Sequence, residues 1–232
     1  PSVLYKMNRV TPGMVYSEDV VNNTYQRFAN MRLYNSVSVE LNKVDTNIVD
    51  CFIRLIPSKT HGYQVNLEAS TNASGLIGIS PEISYYNRNI FKGGEWLSLS
   101  VMGNFQVSVK NETRAIEFGA NAGLSFPTFL LLPSSVFRNI VPRTDINLTY
   151  NYQQRPEYSR NMIGGKFGWS WGSKNNKWYF QATPLQINIV NLPYYSPQFM
   201  ESLTNPFVRE AYKNHFDLGL GYNMQYSSTP SI

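Results

Sequence analysis

The chain of 232 residues carries 20 Lys and Arg against 15 Asp and Glu, which gives a formal net charge of +5. Charged residues make up 15% of the chain, against roughly 25% in an ordinary soluble domain, while aromatic residues reach 14%. A single cysteine, Cys51, excludes a disulfide framework, and no stretch approaches the ~20 apolar residues of a membrane-spanning helix. The composition indicates a β-rich protein whose strands carry polar but uncharged side chains.

The first part of the chain, residues 1–60, is predicted to be a small α/β domain. Ser17 followed by Glu18 and Asp19 is typical of a helix N-terminus. Side chains that can be buried then recur at three- and four-residue spacing, which predicts an amphipathic helix over about 17–31. Its expected buried face consists of Val20, Val21, Thr24, Tyr25, Phe28 and Met31.

A shorter helix and a β-hairpin complete this predicted domain. The short helix is expected over about 2–9. Strands over about 36–41 and 49–55 alternate apolar and polar residues on either side of the polar connector 42–47, which predicts a hairpin. The helix would cover one face of the hairpin, with Cys51 as a small buried hydrophobic residue.

From residue 62 the helical period gives way to strict alternation. Each of about eight segments has one apolar or aromatic face and one polar face, and most approach the 9–11 residues of a membrane-crossing strand. Aromatic residues lie near several segment ends, where a membrane interface would be, and the period slips once near Thr183-Pro184. This pattern favours a transmembrane antiparallel β-barrel over a soluble antiparallel sheet with one hydrated face. The predicted strands cover about 62–70, 77–85, 97–102, 116–125, 145–153, 163–171, 177–190 and 216–226. A short helix is expected within about 198–212.

Little in the sequence predicts catalysis or ligand binding. Glu68, Glu82 and Glu117 could face a common lumen as general acids or bases, but lumen carboxylates more often tune charge and hydration. His61 and His215 are far apart, so no metal centre is expected. No G-x-S-x-G nucleophile motif occurs, and no run of Lys and Arg indicates nucleic-acid binding. We therefore expect no enzyme activity, no cofactor, no metal site and no nucleic-acid partner.

Five segments together carry a family resemblance. Residues 25–37 read YQRFANMRLYNSV, a helix, a Leu/aromatic pair and a strand that opens with Val, and residues 85–96 read YYNRNIFKGGEW, an Asn, an apolar residue and Gly-Gly in a turn. The others are 62–70 (GYQVNLEAS), 125–129 (SFPTF) and 154–160 (QRPEYSR). In this order and spacing they resemble the BamA/TamA superfamily of outer-membrane assembly barrels, and in particular its TamA-like branch, in which periplasmic POTRA domains precede the barrel.

The resemblance implies part of a protein of this kind. The first strand of the POTRA domain would lie upstream of Pro1, and the Arg-Gly-aromatic motif of the superfamily's inward-folded loop, which belongs to the second half of the barrel, does not occur. The implied organisation is a partial POTRA domain at 1–60 in the periplasm. Residues 61–232 would then be the first half of a sixteen-stranded barrel in the bacterial outer membrane.

The resemblance also implies a function, the insertion of β-barrel proteins into the outer membrane through a lateral gate. At that gate the first barrel strand pairs with a client strand by β-augmentation. This strand has no Lys or Arg, which unpaired edges usually carry. Its pairing residues would be Tyr63, Gln64, Val65, Asn66, Leu67, Glu68, Ala69 and Ser70. A second augmentation edge in the POTRA domain would be Val37, Ser38, Val39 and Glu40, with plain packing as the alternative.

The implied partners are outer-membrane protein clients, the lipid bilayer, and periplasmic or lipoprotein accessory subunits. Several other functions stay open at this stage. A passive, closed eight-strand barrel would act as a pore or anchor, and its first and last strands would pair with each other. The same architecture could secrete a partner protein or anchor a fused hydrolase. An outer-membrane enzyme and a soluble β-sandwich binding module are further alternatives.

Overall fold

A computed structural model describes residues 2–71, 76–108, 113–133, 140–173 and 177–228. The protein is mainly β, and the strands of both described sheets pair antiparallel. An N-terminal unit of two helices and a two-stranded sheet precedes a sheet of eight strands. Within these described ranges, no helix is long and apolar enough to cross a bilayer.

The N-terminal unit contains the predicted helices and the predicted hairpin. Its elements are α1 (Ser2–Met7), α2 (Glu18–Asn30), β1 (Tyr34–Asp45) and β2 (Ile48–Pro57). The strands are longer than expected, because the connector predicted at 42–47 continues the ladder, with Asn42 opposite Asp50, and only two residues are left to turn the chain. A turn of that length lets antiparallel strands pair almost to their ends.

The core of this unit is small and lies where α2 meets the hairpin. Met7, Phe28 and Met31 are buried there, and the ring of Phe28 packs edge-on against that of Tyr34 with 6.2 Å between centroids. Partly buried hydrophobic residues surround them, namely Leu33, Tyr34, Val37, Ile53 and Leu55. Cys51 lies beyond this contact on β2 and is only half-buried, so the expectation of a buried cysteine is wrong. Partial burial raises the pKa of its thiol.

The buried face of α2 differs from the predicted one at two positions. Tyr25, expected to be buried, is exposed, whereas Arg27 is almost fully buried. The guanidinium of Arg27 donates a hydrogen bond of 2.9 Å to the carbonyl of Ile140, so this side of α2 faces the link before a strand of the larger sheet. Burial, and secondarily the charge of Arg9, lowers the pKa of Arg27 to about 10. The side chain therefore joins the two parts of the protein at an electrostatic cost.

Thr24 is a buried residue that the helical spacing predicts correctly. Its hydroxyl donates to the carbonyl of Val20 at 2.9 Å and accepts the backbone N–H of Arg9 at 3.1 Å. The hydroxyl thereby satisfies a backbone donor outside the helix, as a buried polar group must. Ser17 precedes the helix in an extended conformation, as expected for an N-cap residue, but its side chain makes no capping hydrogen bond.

The larger sheet is a meander in which each strand pairs with its neighbours in sequence. The eight strands predicted after residue 61 are confirmed. The period slip predicted near Thr183 is a bulge, because Gly219 pairs with Gln186 whereas Gly221 pairs with Thr183. The strands are β3 (His61–Thr71), β4 (Leu76–Asn87), β5 (Trp96–Ser108), β6 (Arg114–Phe126), β7 (Pro142–Gln154), β8 (Tyr158–Gly172), β9 (Trp178–Tyr195) and β10 (His215–Tyr226).

The register of the larger sheet places like side chains on like faces. Val65 lies opposite Ile83, and Ile83 lies opposite Val101 in the next strand. This apolar face is exposed across the sheet, with Ile83 58% and Leu218 66% accessible. The other face carries amides, hydroxyls and a few charges, among them Glu82, Glu117, Lys166 and Asp217.

Among the described residues the larger sheet is open. β3 and β10 are its two edges, and they do not pair with each other. The closed eight-strand barrel, one of the alternatives left open by the sequence, is therefore contradicted.

The link between β9 and β10 holds two short helices where one was expected at 198–212. They are α3 (Pro197–Ser202) and α4 (Pro206–Ala211). The division follows from local capping, because Ser196 accepts the N–H of Phe199 and Asn205 accepts the N–H of Phe207. Phe199 and Tyr212 pack on Tyr158 at the start of β8, with centroid distances of 5.4 and 5.2 Å. This aromatic cluster holds the link against the sheet.

The N-terminal unit contacts the larger sheet near the β4–β5 turn. The backbone N–H of Arg88 donates to the carbonyl of Thr60 at 2.7 Å, and its guanidinium donates to Ser58 at 2.9 Å. Gly94 adopts a left-handed φ of 84° directly against Met31, the buried residue that follows α2. The same end of the sheet therefore carries the start of β3 and the contact with α2.

Candidate functional site

The candidate site is the outer edge of β3, the strand in which all eight predicted pairing residues lie. β3 forms one edge of the larger sheet and, among the described residues, pairs with β4 alone. Its ladder with β4 is uninterrupted from His61, opposite Asn87, to Thr71, opposite Ile77. The strand has no bulge in this register and contains no Lys, Arg or Pro. It therefore lacks three of the usual features that keep an edge from pairing with other chains, namely bulges, prolines and Lys or Arg side chains, and Glu68 is its one acidic residue.

Pro81 on β4 reveals which backbone groups of β3 point outward. Proline has no N–H, and the pairing of β4 with β5 is interrupted at Ser80 and Pro81, whereas its pairing with β3 is continuous. The nitrogen of Pro81 therefore faces β5. In an antiparallel ladder, the N–H and C=O of one residue point to the same side. Leu67, directly opposite Pro81, thus forms a non-hydrogen-bonded pair with it, and its own N–H and C=O point away from β4.

Alternation along the strand extends this assignment. Hydrogen-bonded and non-hydrogen-bonded pairs alternate residue by residue. Tyr63, Val65 and Ala69 therefore direct their backbone groups outward together with Leu67. Gln64, Asn66, Glu68 and Ser70 use theirs to hold β3 on β4. The predicted set of eight residues divides into four that present the free edge and four that anchor it.

The side chains of β3 are exposed on both faces. Tyr63, Val65 and Leu67 are 75%, 71% and 75% accessible, and the ring of Tyr63 packs on that of Tyr85 at 5.1 Å between centroids. On the polar face, the amide of Asn66 donates to Glu82 at 3.3 Å. Few side-chain contacts therefore oppose a change of partner at this edge.

The second free edge, β10, is not singled out by the sequence pattern. It too has no Lys, Arg or Pro, and Leu220 is 84% accessible. It differs from β3 at its start, where His215 and Asp217 lie 3.6 Å apart, and at Gly219, next to the bulge of β9. The alternation that identifies β10 as a strand is the same in central and edge strands, so only the strand order reveals the edge.

The second predicted augmentation edge lies on β1. Val37, Ser38, Val39 and Glu40 pair with Leu55, Arg54, Ile53 and Phe52 of β2, respectively. Val37 packs against the core below α2, and Glu40 lies 4.0 Å from Arg54 in an exposed ion pair. The smaller sheet consists of β1 and β2, so each of these strands has one side without a strand partner among the described residues. Nothing in this arrangement favours the edge of β1 over that of β2.

The carboxylates considered for catalysis take part in the polar face of the sheet. Glu82 accepts a hydrogen bond from Asn66, and Glu117 accepts one of 2.7 Å from Asn151. Glu68 lies opposite Ser80 on the same face. Each of these three acids thus has a polar neighbour across the ladder. In the described ranges, no group of three or more His, Cys, Asp or Glu could hold a metal ion.

Comparison with solved structures shows a distant similarity. No protein-family model matches the chain, and no curated protein matches it. The chain is similar to the crystal structure of BamA from Haemophilus ducreyi lacking POTRA domains 1–3, at 14% sequence identity and a TM-score of 0.31. The similarity covers 82% of this chain and 51% of that chain, so this chain spans about half the length of that protein. This degree of similarity does not assign the chain to a family.

Proposed function

We propose that this chain is part of an outer-membrane β-barrel that assembles other β-barrel proteins by pairing their strands with its β3 edge. One observation carries the proposal. The backbone groups of Tyr63, Val65, Leu67 and Ala69 point away from β4, on an edge strand without bulge, proline or positive charge. Backbone pairing at such an edge accepts strands of many sequences, which suits an assembly factor with many clients.

The exposed apolar face supports a membrane setting for the larger sheet. Residues such as Val65, Ile83 and Leu218 form one apolar surface across its strands, and each of them is more than half accessible. A contiguous apolar surface of this kind is rare on a soluble monomer. In an outer membrane it would contact lipid, and the opposite face would line a hydrated interior.

The cost of unpaired backbone explains why the free edges require partners. In hydrocarbon, each unsatisfied N–H or C=O costs several kcal/mol. The larger sheet would be the first half of a larger barrel. Further strands of that barrel would cover the β10 edge. The β3 edge would alternate between a closing strand of that barrel and a client strand, which replace each other's hydrogen bonds.

The resemblance in the sequence also suggests a role for the N-terminal unit and an identity for the clients. The N-terminal unit would be a partial POTRA domain in the periplasm, and the clients would be unfolded outer-membrane proteins delivered with the help of periplasmic or lipoprotein subunits. The protein would act without catalytic residues or a cofactor. The pairing of β-strands itself would drive insertion.

Site-specific crosslinking tests the proposal. In a Cys51→Ser background, cysteine is placed at Asn66 or Glu68, and an unfolded outer-membrane protein with one cysteine in its terminal strand is added. These two residues would face the client in non-hydrogen-bonded pairs, where Cα atoms are about 4.5 Å apart. Matched controls are cysteines at Asn121 and Asn147, polar-face residues of β6 and β7, which are paired on both sides.

We expect disulfides from the two β3 positions and none from the controls. Equal trapping at β3 and at the controls would indicate collision rather than pairing. Trapping along β10, for example at Asn223, with none along β3 would move the client site to the other edge and overturn the assignment of β3.

A further inference from the structure

A cavity of about 1310 Å³ lies between α2 and one end of the polar face of the larger sheet. Its walls include Arg32, just after α2, and Trp96, Arg143 and Tyr179 from β5, β7 and β9. Trp96 is opposite Ser125, and Arg143 is opposite Ser170, so both belong to the polar face. The cavity therefore opens on the side of the sheet away from the apolar surface.

Two arginines lie over Trp96 beside this cavity, and a third, Arg143, donates at 2.8 Å to Ser125, the residue opposite Trp96 in the ladder. The guanidinium carbons of Arg32 and Arg88 lie 4.4 and 5.5 Å from the centroid of the Trp96 ring. Arg143 donates to Asp145 at 2.9 Å. Burial, followed by the charge of Arg143, lowers the pKa of Arg32, and only the carboxylate of Asp145 and the weaker effect of Tyr179 oppose this. Positive charge thus exceeds negative charge in this group. The cavity wall also carries Lys177, and the carboxylates Glu18 and Asp19 line it from the first turn of α2, at the opposite end of the helix from Arg32.

Several donors of this cluster have no acceptor. Among the described residues, neither Arg32 nor Arg88 forms an ion pair with a carboxylate, and the guanidinium of Arg88 donates only to the hydroxyl of Ser58. Within the described part of the chain, the indole N–H of Trp96 and the Nε of Arg88 are buried without a partner. Arginine and tryptophan side chains are donors only. Arg143 has Asp145 and Ser125 as acceptors, whereas Arg32 has no carboxylate partner among the described residues, which an anionic group would supply.

The backbone at Arg32 also indicates a role for its side chain. Arg32 follows α2 with a φ of 54°, in the left-handed region. Glycine is the usual residue at this position after a helix, because it adopts this conformation without steric cost. An arginine is present here despite that cost, and its guanidinium stacks on Trp96.

We propose that this cavity binds the carboxylate side chains of an extended acidic polypeptide through Arg32 and Arg143. Its volume exceeds the ~300–1,000 Å³ of pockets that hold small molecules, and it has room for several residues of an extended chain. The position on the polar face favours a polypeptide over a lipid, whose acyl chains would need the apolar face. That the peptide is a client on its way to β3 rests on the proposed function, but the anion site itself does not.

Peptide binding to the whole protein in detergent tests the site. The probe is a fluorescein-labelled peptide of alternating Glu and Thr, compared with the same peptide carrying Lys in place of Glu. We expect the acidic peptide to bind, the basic one not to bind, and affinity to fall as salt is raised, since salt screens partly exposed charges.

Two variants and one control locate the site. Arg32→Gly removes the cation while relieving the backbone, so loss of folding is not expected, and Arg143→Gln removes the second cation. Each should weaken binding by about tenfold, the effect of losing one charge-assisted hydrogen bond. Arg54→Gln, which removes an exposed cation of β2 that is 71% accessible, should leave binding unchanged, whereas Arg32→Lys should retain part of it.

The outcomes separate this site from the β3 edge. Equal binding of acidic and basic peptides, or no effect of Arg32→Gly, would overturn the anion site even if β3 still captured clients. Competition by glycerol phosphate as strong as that by the acidic peptide would indicate a lipid headgroup site and overturn the polypeptide assignment. Loss of acidic peptide binding in Arg32→Gly with β3 crosslinking intact would support the anion site independently of the gate.

Discussion

At the residue scale, Met31 and Gly94 form a close contact between the N-terminal unit and the larger sheet. Gly94 has a φ of 84°, and a Cβ at this position would lie 2.7 Å from the Cε of Met31. Met31 is itself fully buried, so its methyl group has little space to move into. Glycine is required here for two reasons, its backbone conformation and the close approach of a core side chain.

Gly94→Ala is therefore expected to destabilise the junction. The left-handed backbone alone costs about 1–2 kcal/mol for a residue with a Cβ, and overpacking adds about 1–3 kcal/mol. Unfolding by urea in detergent, followed by tryptophan fluorescence, measures the change because Trp96 lies beside the turn.

Gly13→Ala is the matched control for this substitution. Gly13 has a similar φ of 81°, but no atom of the described residues lies within 4 Å of a Cβ built there. It should show the backbone cost without the clash. Equal effects of the two substitutions would contradict a role for Met31.

At the element scale, β3 differs from the six central strands in having one unoccupied side. Its four outward residues are known from the position of a single proline on β4, since the break in the β4–β5 ladder at Pro81 fixes the direction of every hydrogen bond in β3. This assignment makes neighbouring residues of β3 differ in function. Val65 offers its N–H to the outside, whereas Asn66 offers its N–H to β4.

Proline substitution tests this alternation. Val65→Pro should leave the β3–β4 ladder intact and remove one outward donor, since proline is tolerated in an edge strand when its nitrogen faces away from the sheet. The variant should fold but capture clients poorly at a cysteine placed at Glu68. Asn66→Pro should break the ladder itself and lower the free energy of unfolding.

Urea unfolding and crosslinking are measured on both proline variants. If Val65→Pro and Asn66→Pro lowered stability by the same amount, the outward direction assigned to Val65 would be wrong. Normal capture by a folded Val65→Pro variant would mean that clients do not pair with the backbone of β3.

At the scale of the whole molecule, the larger sheet is an open surface with one apolar and one polar face. Its edges, β3 and β10, are separated by six strands and do not pair with each other in the described ranges. An eight-strand barrel would need these two edges to pair, whereas a larger barrel needs each of them to find a different partner.

Intramolecular disulfides distinguish these arrangements. In the Cys51→Ser background, Val65→Cys combined with cysteines in turn at Leu218, Leu220 and Tyr222 of β10 should give no disulfide within one molecule. Val65→Cys with Ile83→Cys is the positive control, because these residues form a non-hydrogen-bonded pair in the described register, with Cα atoms about 4.5 Å apart. Rapid closure of any β3–β10 pair would contradict the open sheet.

The sequence by itself determines the strands, the two faces of the sheet and the α/β character of the first 60 residues. These features depend on local periodicity, since alternate side chains of a strand must point to opposite faces. The slip at Thr183 is visible for the same reason. Local patterns are less reliable at the ends of elements, where the connector at 42–47 extends the hairpin and the helix expected at 198–212 divides at the Asn205 cap.

Only the tertiary structure decides which strands are edges and which distant residues share a site. Edge and central strands alternate alike, so the free sides of β3 and β10 appear only when the strand order is known. Arg32, Arg88 and Arg143 are far apart in sequence and have no common spacing, but the packing of α2 on the end of the sheet brings Arg32 and Arg88 onto Trp96 and Arg143 near Arg32. Sequence periodicity predicts the direction of each side chain relative to its own strand. Contacts between elements depend on how those elements pack.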